Sequence, residues 1–275
     1  MKIKKMKLKK YKAILFDGDG VLWKSNQPLK GIVPLFEFLA EKEVLWALLT
    51  NNNSHPVQHY LDKCARMGIH VQPESVFTSA TVTTTYLLDQ YGSGASLHVV
   101  GSNGLIDILQ QAGFNISYGE IEPQGKIAAV VAGLDLDINY QKIKIAMRLI
   151  LNGAAFVATN TDGTYPTTEG INPATGMVIG ALQASSGVIP YVVGKPHKAI
   201  FEAALNELGA KPVETLMVGD RLDTDILGAN QSGIQSAAVL TGISSRKTIE
   251  KSTIKPNFVF ENITTLHQAL AEVYE

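Results

Sequence analysis

The stretch AILFDGDGVLW, residues 13–23, joins a short apolar run to two aspartates separated by a single glycine. An unbroken run such as AILF is typical of a strand covered on both faces, as in a parallel sheet flanked by helices. Asp17 and Asp19 follow at the carboxyl end of this strand. Ligands of open α/β sheets bind beyond that end of the strands, so the two charges indicate either an acidic turn or the edge of a site.

Similar apolar runs alternate with amphipathic helical segments along the rest of the chain, for example VLWALLT at residues 44–50 and TLMVG at residues 215–219. This alternation predicts an α/β fold whose core is a Rossmann-like, doubly wound parallel sheet. Three further runs end in polar groups: Thr50 with Asn51 and Asn52 after VLWALL, Lys195 after YVVG, and Asp220 after TLMVG. We expect these strand ends to contribute to one site.

The composition limits what such a site can bind. The 275 residues are 45% hydrophobic with a net charge of -1, which favours neither a nucleic-acid nor a membrane partner. The sequence has no long apolar span or signal-peptide core, so we expect a soluble cytoplasmic protein. Cys64 is the single cysteine, which rules out an internal disulfide and a thiolate zinc cluster. The lysine-rich residues 1–12 are predicted to be a solvated extension of undetermined role.

The acidic pair is suited to phosphoryl chemistry. In an extended segment, Asp17 and Asp19 point to the same side, and Gly18 between them is expected to let a ligand approach the backbone. An aspartate is ionised at neutral pH and can attack phosphorus without a base, while its neighbour moves a proton. Magnesium prefers oxygen ligands, and Asp17, Asp19 and Asp220 at neighbouring strand ends can supply them.

The other strand ends add groups that bind a phosphoryl oxygen. Lys195 places a cation where a carboxylate and a phosphoryl group would otherwise repel each other. Thr50 offers a hydroxyl, and the residues after it, Asn51 and Asn52, offer amides that can bind phosphoryl oxygens as a helix N-terminus does. Each residue alone is equally compatible with a cap or a surface charge. Their occurrence in order on apolar strands favours a phosphate-binding site.

The ordered motifs DGDGVLW, TNNNS, GKP and GDRLDTDI resemble those of the haloacid dehalogenase superfamily. ATNTD and VGKPHKAIFEAAL are also similar to the NagD-like group, which includes p-nitrophenylphosphatases and phosphoglycolate phosphatases. The resemblance extends from Tyr11 to Ser245. It implies a hydrolase acting on phosphoric monoester bonds, with Mg²⁺ as cofactor and a small phosphorylated metabolite as substrate.

The resemblance also implies roles for individual residues. Asp17 is expected to attack the phosphoryl group and form an aspartyl-phosphate. Asp19 is expected to protonate the leaving group and then act as base for the hydrolytic water. Thr50, Asn51 and Asn52 are the predicted substrate-binding residues after the second strand, and Lys195 is expected to neutralise charge around Asp17.

The expected magnesium ligands are the Asp17 side chain, the Asp19 backbone carbonyl and Asp220. Asp225 is expected to position the waters of the metal or Lys195. Superfamily members that lack the second acid of this motif, the position of Asp19, include dehalogenases and phosphonate hydrolases. The presence of Asp19 therefore indicates phosphate ester chemistry.

The spacing of the motifs predicts an inserted domain. The interval from Asp17 to Thr50 holds one helix and one strand, whereas the interval from Thr50 to Lys195 is far longer. We therefore expect a discontinuous core formed by residues 1–82 and 190–275 and an α/β cap of the C2 type formed by residues 83–189. The resemblance further implies a homodimer formed through the cap.

The cap contains the least interpretable segment, ATNTDGTYPTTEGINP. Its Asn160, Asp162 and Tyr165 either reach the substrate or belong to a polar connection stabilised by Asx turns. The natural substrate is left open among nucleotides, sugar phosphates, phosphoglycolate and other esters.

Two other functions remain as alternatives: a phosphotransferase or mutase on the same scaffold, and a catalytically silent protein that binds a phosphorylated ligand. All the acids are present and the first interval carries no cap, so the phosphatase is favoured.

Overall fold

The computed structural model describes residues 7–167 and 170–275. The first half of the lysine-rich start and residues 168–169 of the cap loop lie outside the described residues. The strands are β1 (Ala13–Phe16), β2 (Trp23–Lys24), β3 (Gln27–Pro28), β4 (Leu45–Thr50), β5 (Val76–Thr78), β6 (Ser96–Val100), β7 (Asn115–Tyr118), β8 (Ala129–Ala132), β9 (Ala155–Ala158), β10 (Thr164–Thr167), β11 (Gly170–Pro173), β12 (Tyr191–Val192), β13 (Thr215–Gly219), β14 (Gln235–Val239) and β15 (Phe258–Phe260).

The helices alternate with these strands. They are α1 (Ile32–Glu41), α2 (Val57–Arg66), α3 (Ser79–Tyr91), α4 (Asn103–Gln111), α5 (Tyr140–Leu151), α6 (Thr175–Ser186), α7 (Lys198–Glu207), α8 (Leu227–Gln231), α9 (Arg246–Lys251) and α10 (Ile263–Tyr274). None of the helices within the described residues is long and apolar enough to cross a membrane.

Six strands form the larger sheet, in the order β15-β14-β13-β1-β4-β5. β1 pairs in parallel with β13 on one side and with β4 on the other, and β14 and β15 extend the sheet in parallel. The chain runs outward from β1 to β5 and returns to β13, so the strand order reverses between β1 and β13. This topology confirms the predicted doubly wound sheet and puts its switch point at the strand that precedes Asp17.

The register aligns the strand ends. Phe16 lies opposite Val218 of β13 and Leu48 of β4, so the three strands finish at nearly the same level. All residues of β1 and β13 are buried, which is why their sequences show no alternation of polar and apolar residues. Phe16 also packs against Phe36 of α1, with ring centroids 5.4 Å apart. Burial of each such side chain contributes about 1.5–3 kcal/mol.

A second parallel sheet has the order β12-β9-β8-β6-β7. Its apolar core is formed by β8 and β9 with α5 and α6, and includes Val130, Phe156, Ile150 and Leu182. β12 pairs in parallel with β9 of this sheet. The prediction that YVVG is a strand of the core is therefore wrong. The run is apolar, but apolarity does not reveal which of two parallel sheets a strand joins.

The chain divides into two compact units. One contains the residues up to Thr50 together with Val57–Phe77 and Ile200–Glu275, and the other contains Asn51–Pro56 and Thr78–Ala199. Compared with the predicted division, the second unit gains residues 51–56, 78–82 and 190–199. The last of these ranges contains β12, and its pairing with β9 explains why residues 190–199 belong to the second unit.

Candidate active site

Three carboxylates come together at the switch point of the larger sheet. Asp17, Asp220 and Asp225 each offer one oxygen, and these oxygens all lie within 4.8 Å of one another. Asp17 directly follows β1, and its backbone N–H donates to the carbonyl of Val218 in β13 at 3.0 Å. Asp220 follows β13. The parallel pairing of β1 with β13 therefore brings together two acids that are far apart in the sequence.

Asp225 reaches the same place from a turn of π-helix at Leu222–Ile226. Its Oδ2 accepts hydrogen bonds from the backbone N–H groups of Asp220 and Arg221, both at 3.1 Å. A Cβ at Gly219 would lie 2.2 Å from the Cβ of Asp225, so only glycine leaves room for this carboxylate. The buried Asp225 thus fixes the backbone that carries Asp220, whereas its predicted role of positioning the waters of the metal or Lys195 stays a prediction.

Asp220 is held from its other side by residues that the sequence analysis did not identify. Its Oδ2 accepts a hydrogen bond of 2.7 Å from the N–H of Ile243. A Cβ at Gly242 would lie 1.9 Å from the same oxygen, and one at Gly20 would lie 2.6 Å from it. The Thr241 hydroxyl donates to the Gly20 carbonyl, which joins the two loops. Gly242 lies three residues after the buried strand β14, and a glycine in such a loop is the sequence signal that points to a close approach.

The turn between the two motif-one acids is closed by Trp23. The carbonyl of Gly18 accepts from the N–H groups of Leu22 and Trp23 at 2.8 and 3.2 Å. A Cβ on Gly18 would lie 2.5 Å from a carbon of the Trp23 indole. The expectation that this glycine opens the backbone to a ligand is therefore wrong on that side, because the indole already fills the space. Asp19 also forms an isolated β-bridge with Trp23, so its main chain belongs to the same turn.

Thr50, predicted to bind the phosphoryl group, is buried at the end of β4. Tyr60 of α2 lies close to it. Burial raises the pKa of the Tyr60 hydroxyl, the ionised Asp19 raises it further, the Thr50 side chain lowers it, and Asp17 raises it slightly. Both acids of the turn therefore act in the same direction as burial and keep this hydroxyl protonated. Tyr60 did not stand out in the sequence, where it reads as an ordinary apolar position of an amphipathic helix.

Two hydrogen bonds join Asn51 and Lys195, which both belong to the second unit. The Lys195 N–H donates to Asn51 Oδ1 at 2.8 Å, and Asn51 Nδ2 donates to the Lys195 carbonyl at 2.9 Å. The same Nδ2 donates to Asp162 Oδ1 at 3.0 Å. Both hydrogens of the Asn51 amide are therefore used within the protein.

The Asn51 carbonyl is also enclosed. It accepts hydrogen bonds from the Ser79 hydroxyl at 2.7 Å and from Asn160 Nδ2 at 2.8 Å. Asn160 Oδ1 in turn accepts from the N–H of Asp162 at 3.1 Å, which forms the Asx turn considered for this loop. Tyr165, the third candidate of the cap loop, lies in β10 opposite Asn172.

Asn52 has a different local role. Its Oδ1 accepts a hydrogen bond of 2.9 Å from the N–H of Ser54, so the side chain stabilises the turn after β4. The exposed position of Asn52 is compatible with the predicted contact to substrate, which stays a prediction.

Comparison with known proteins identifies the family. The family model described as haloacid dehalogenase-like hydrolase matches residues 14–115, and the HAD-hydrolase-like model matches residues 192–266. The acid sugar phosphatase of Staphylococcus aureus is 34% identical over 266 residues, which cover 97% of this chain and 99% of the relative. The chain belongs to the haloacid dehalogenase superfamily.

Solved structures of this superfamily agree with the fold. The p-nitrophenyl phosphatase from Archaeoglobus fulgidus has a TM-score of 0.88 and 30% identity, with 95% of this chain and 100% of that chain covered. NagD from Escherichia coli K-12 has a TM-score of 0.81 and 32% identity, with 93% and 98% covered. The predicted place in the NagD-like group of haloacid dehalogenase phosphatases is thereby confirmed.

The carboxylate cluster fits a hard divalent cation. Magnesium takes oxygen ligands and usually only one or two carboxylates, completing its shell with water and phosphate oxygens. Asp17 and Asp220 provide two such carboxylates, with their nearest oxygens within 4.8 Å of each other. Three acids this close repel one another strongly unless positive charge is brought between them. The donor set therefore suits Mg²⁺ better than a softer metal that prefers nitrogen or sulfur.

Proposed function

We propose that this haloacid dehalogenase family member is a magnesium-dependent phosphatase that hydrolyses small phosphate monoesters through an aspartyl-phosphate on Asp17. The observation that carries the proposal is the convergence of Asp17, Asp220 and Asp225 at the carboxyl end of the switch-point strands. That place is where open α/β sheets bind their ligands.

In the first half-reaction, a carboxylate oxygen of Asp17 forms a bond to phosphorus while the bond from phosphorus to the ester oxygen breaks. Asp19 donates its proton to the departing oxygen, so the product leaves as an alcohol. In the second, Asp19 takes a proton from water as the water oxygen bonds to phosphorus and the bond to Asp17 breaks. Asp17 is thus regenerated and inorganic phosphate is released.

The remaining residues would bind magnesium and the phosphoryl group or hold these binding residues in place. Asp17, Asp220 and the Asp19 carbonyl would hold magnesium, which supplies positive charge that neutralises phosphoryl oxygens. Asp225 keeps the Asp220 backbone in place through its two hydrogen bonds. The proposed phosphate contacts are the Thr50 hydroxyl and the N–H of Asn51. For Lys195, the proposed role is to neutralise charge around Asp17.

For the substrate, we favour a sugar phosphate among the small phosphorylated metabolites. This preference rests on the Staphylococcus aureus relative, which carries the name acid sugar phosphatase and matches along nearly its full length. A panel of sugar phosphates, nucleotides and phosphoglycolate, compared by kcat/KM, tests the preference. A nucleotide ranked first would contradict it.

The central experiment compares the wild type with Asp17→Asn in p-nitrophenyl phosphate hydrolysis, with Mg²⁺ and with a chelator. We expect activity that depends on Mg²⁺ and falls roughly 10⁴-fold in Asp17→Asn, because the amide is not a nucleophile. Mass spectrometry of acid-quenched wild type should detect a phosphorylated enzyme that is missing from the variant.

Asp107→Asn, at an exposed position of α4, is the matched control and should retain full activity. Turnover that is unaffected by the chelator, or an Asp17→Asn variant as active as the wild type, would refute the mechanism.

A further inference from the structure

The buried face of α2 carries a charged side chain that the proposed mechanism does not use. Tyr60, Lys63 and Cys64 are the buried residues of this helix, and Lys63 is only 7% exposed. Lysine is rarely buried to this degree unless an anion pairs with it. Among the described residues, Lys63 makes no ion pair within 4.0 Å. Its position therefore needs another explanation.

The contact that Lys63 does make is with the motif-one turn. Its Nζ lies 4.2 Å from the centroid of the Trp23 ring, in the geometry of a cation–π interaction. The other contact of the same indole is Gly18, where a Cβ would meet it at 2.5 Å. Gly18, Trp23 and Lys63 thus form a continuous stack that begins between the two acids of the turn.

Trp23 is held in this stack by packing. The indole is fully buried, and its Nε1–H has no acceptor within the described part of the chain. An unsatisfied buried donor costs about 1–3 kcal/mol, and native structures contain few of them. Trp23 belongs to the apolar core cluster together with Val21 and Leu22, and Gly18 and Lys63 add contacts to its ring.

Trp23 also connects Lys63 to Asp19, because the main chain of Asp19 forms a β-bridge with Trp23. Burial lowers the pKa of Lys63, while the nearby ionised Asp19 raises it in the opposite direction. Tyr60, one helical turn before Lys63, experiences the same carboxylate. The influence of Asp19 on both pKa values agrees with this connection, and of the two side chains Lys63 is the one that carries a positive charge.

We propose that Lys63 is a positioning residue that holds the turn carrying Asp19 in the orientation needed for proton transfer, through its cation–π contact with Trp23. The inference rests on the proposed function, because it assigns Lys63 a task only if Asp19 moves the proton. It does not place Lys63 in contact with substrate. This contact depends on the positive charge of the ammonium group, which lies over the indole.

The first test exploits leaving-group dependence. An alkyl phosphate such as glycerol phosphate needs its departing oxygen protonated, whereas p-nitrophenolate leaves readily without an acid. Lys63→Met keeps the stem and removes the charge. We expect kcat for the alkyl ester to fall about ten times more than kcat for p-nitrophenyl phosphate, and Lys63→Arg to restore most of the difference. An equal fall for both esters would overturn the inference, since it would indicate a general structural defect.

A double-mutant cycle provides the second test. If Lys63 acts through Asp19, Lys63→Met should change kcat for p-nitrophenyl phosphate less than twofold in an Asp19→Asn background, although it lowers kcat in the wild type. Lys142→Met is the matched control, because Lys142 is also largely buried but pairs with Asp135 at 2.9 Å in the other unit. Its effect should be the same in both backgrounds. Additive effects of Lys63→Met would overturn the inference.

The rates of Asp19→Asn on the two esters show whether the proposed function itself fails or only the inference on Lys63. If Asp19→Asn itself lowers the rate for both esters equally, the acid role of Asp19 falls, and the positioning role of Lys63 falls with it. If Asp19→Asn shows the leaving-group dependence but Lys63→Met does not, only the inference on Lys63 is wrong.

Discussion

Replacing Gly242 by alanine should weaken magnesium binding through a single displaced oxygen. The added Cβ would lie 1.9 Å from Asp220 Oδ2, 2.5 Å from its carboxyl carbon and 2.7 Å from its Cβ. Carbon and oxygen do not approach closer than about 3 Å without strain, and at least one of the three contacts involves the less mobile Cβ. The Asp220 carboxylate must therefore move, and the 2.7 Å hydrogen bond from Ile243 breaks.

The expected magnitudes follow from this displacement. Overpacking of a tight site costs about 1–3 kcal/mol of unfolding free energy. Loss of a partner that orients a metal ligand typically costs 10–100-fold in metal affinity. We therefore expect the Mg²⁺ concentration at half-maximal activity to rise about 10–100-fold in Gly242→Ala, measured by titrating Mg²⁺ into the chelator-treated enzyme with p-nitrophenyl phosphate as substrate.

Gly180→Ala is a matched control that should raise, rather than lower, the free energy of unfolding. Gly180 lies within α6 and has no atom within 4 Å of the position of an added Cβ. Alanine there should stabilise the helix by about 0.5–1 kcal/mol and leave the magnesium dependence unchanged. A Gly242→Ala enzyme with wild-type magnesium dependence would refute the argument that Asp220 is a metal ligand held against this loop.

Further outcomes follow from other contacts. Gly18→Ala should lower the free energy of unfolding by about 1–3 kcal/mol in urea denaturation and reduce kcat, because its Cβ would overlap the Trp23 indole. Asn51→Ala removes three side-chain hydrogen bonds and should cost about 1.5–4.5 kcal/mol in the same assay. Burial lowers the pKa of His98 to about 4, so the unfolded chain binds this proton first as pH falls. Stability should therefore be lost between about pH 6.5 and pH 4, by up to about 1.4 kcal/mol per pH unit, and His98→Gln should reduce that slope. The homodimer through the cap stays a prediction, which sedimentation velocity tests.

Much of the candidate site could be predicted because its reactive side chains directly follow apolar strands. Asp17 and Asp220 each follow an unbroken apolar strand, and parallel strands share one carboxyl edge. Knowing that both runs belong to one sheet is enough to bring the two acids together. The hydrogen bonds of Asp225 to the backbone N–H groups of Asp220 and Arg221 were not among the roles expected for it.

Contacts that depend on packing could not be predicted. Trp23 is close to Gly18 in sequence, but the side on which its ring lies is determined by the turn. Lys63 looks like a solvated charge on an amphipathic helix until α2 buries it. Gly242 belongs to a loop after β14, and its closeness to Asp220 arises only once β14 pairs with β13.

The sequence by itself determined the strand and helix order, the acids of the site and the family of the chain, because these depend on residue type, local periodicity and spacing. Tertiary structure alone decided which sheet β12 joins, that the side chain of Asn51 is used within the protein, and which groups surround Asp19 and Asp220. Those outcomes depend on shape complementarity and on hydrogen bonds between residues far apart in the chain. A periodicity shows that a face is buried but not what covers it.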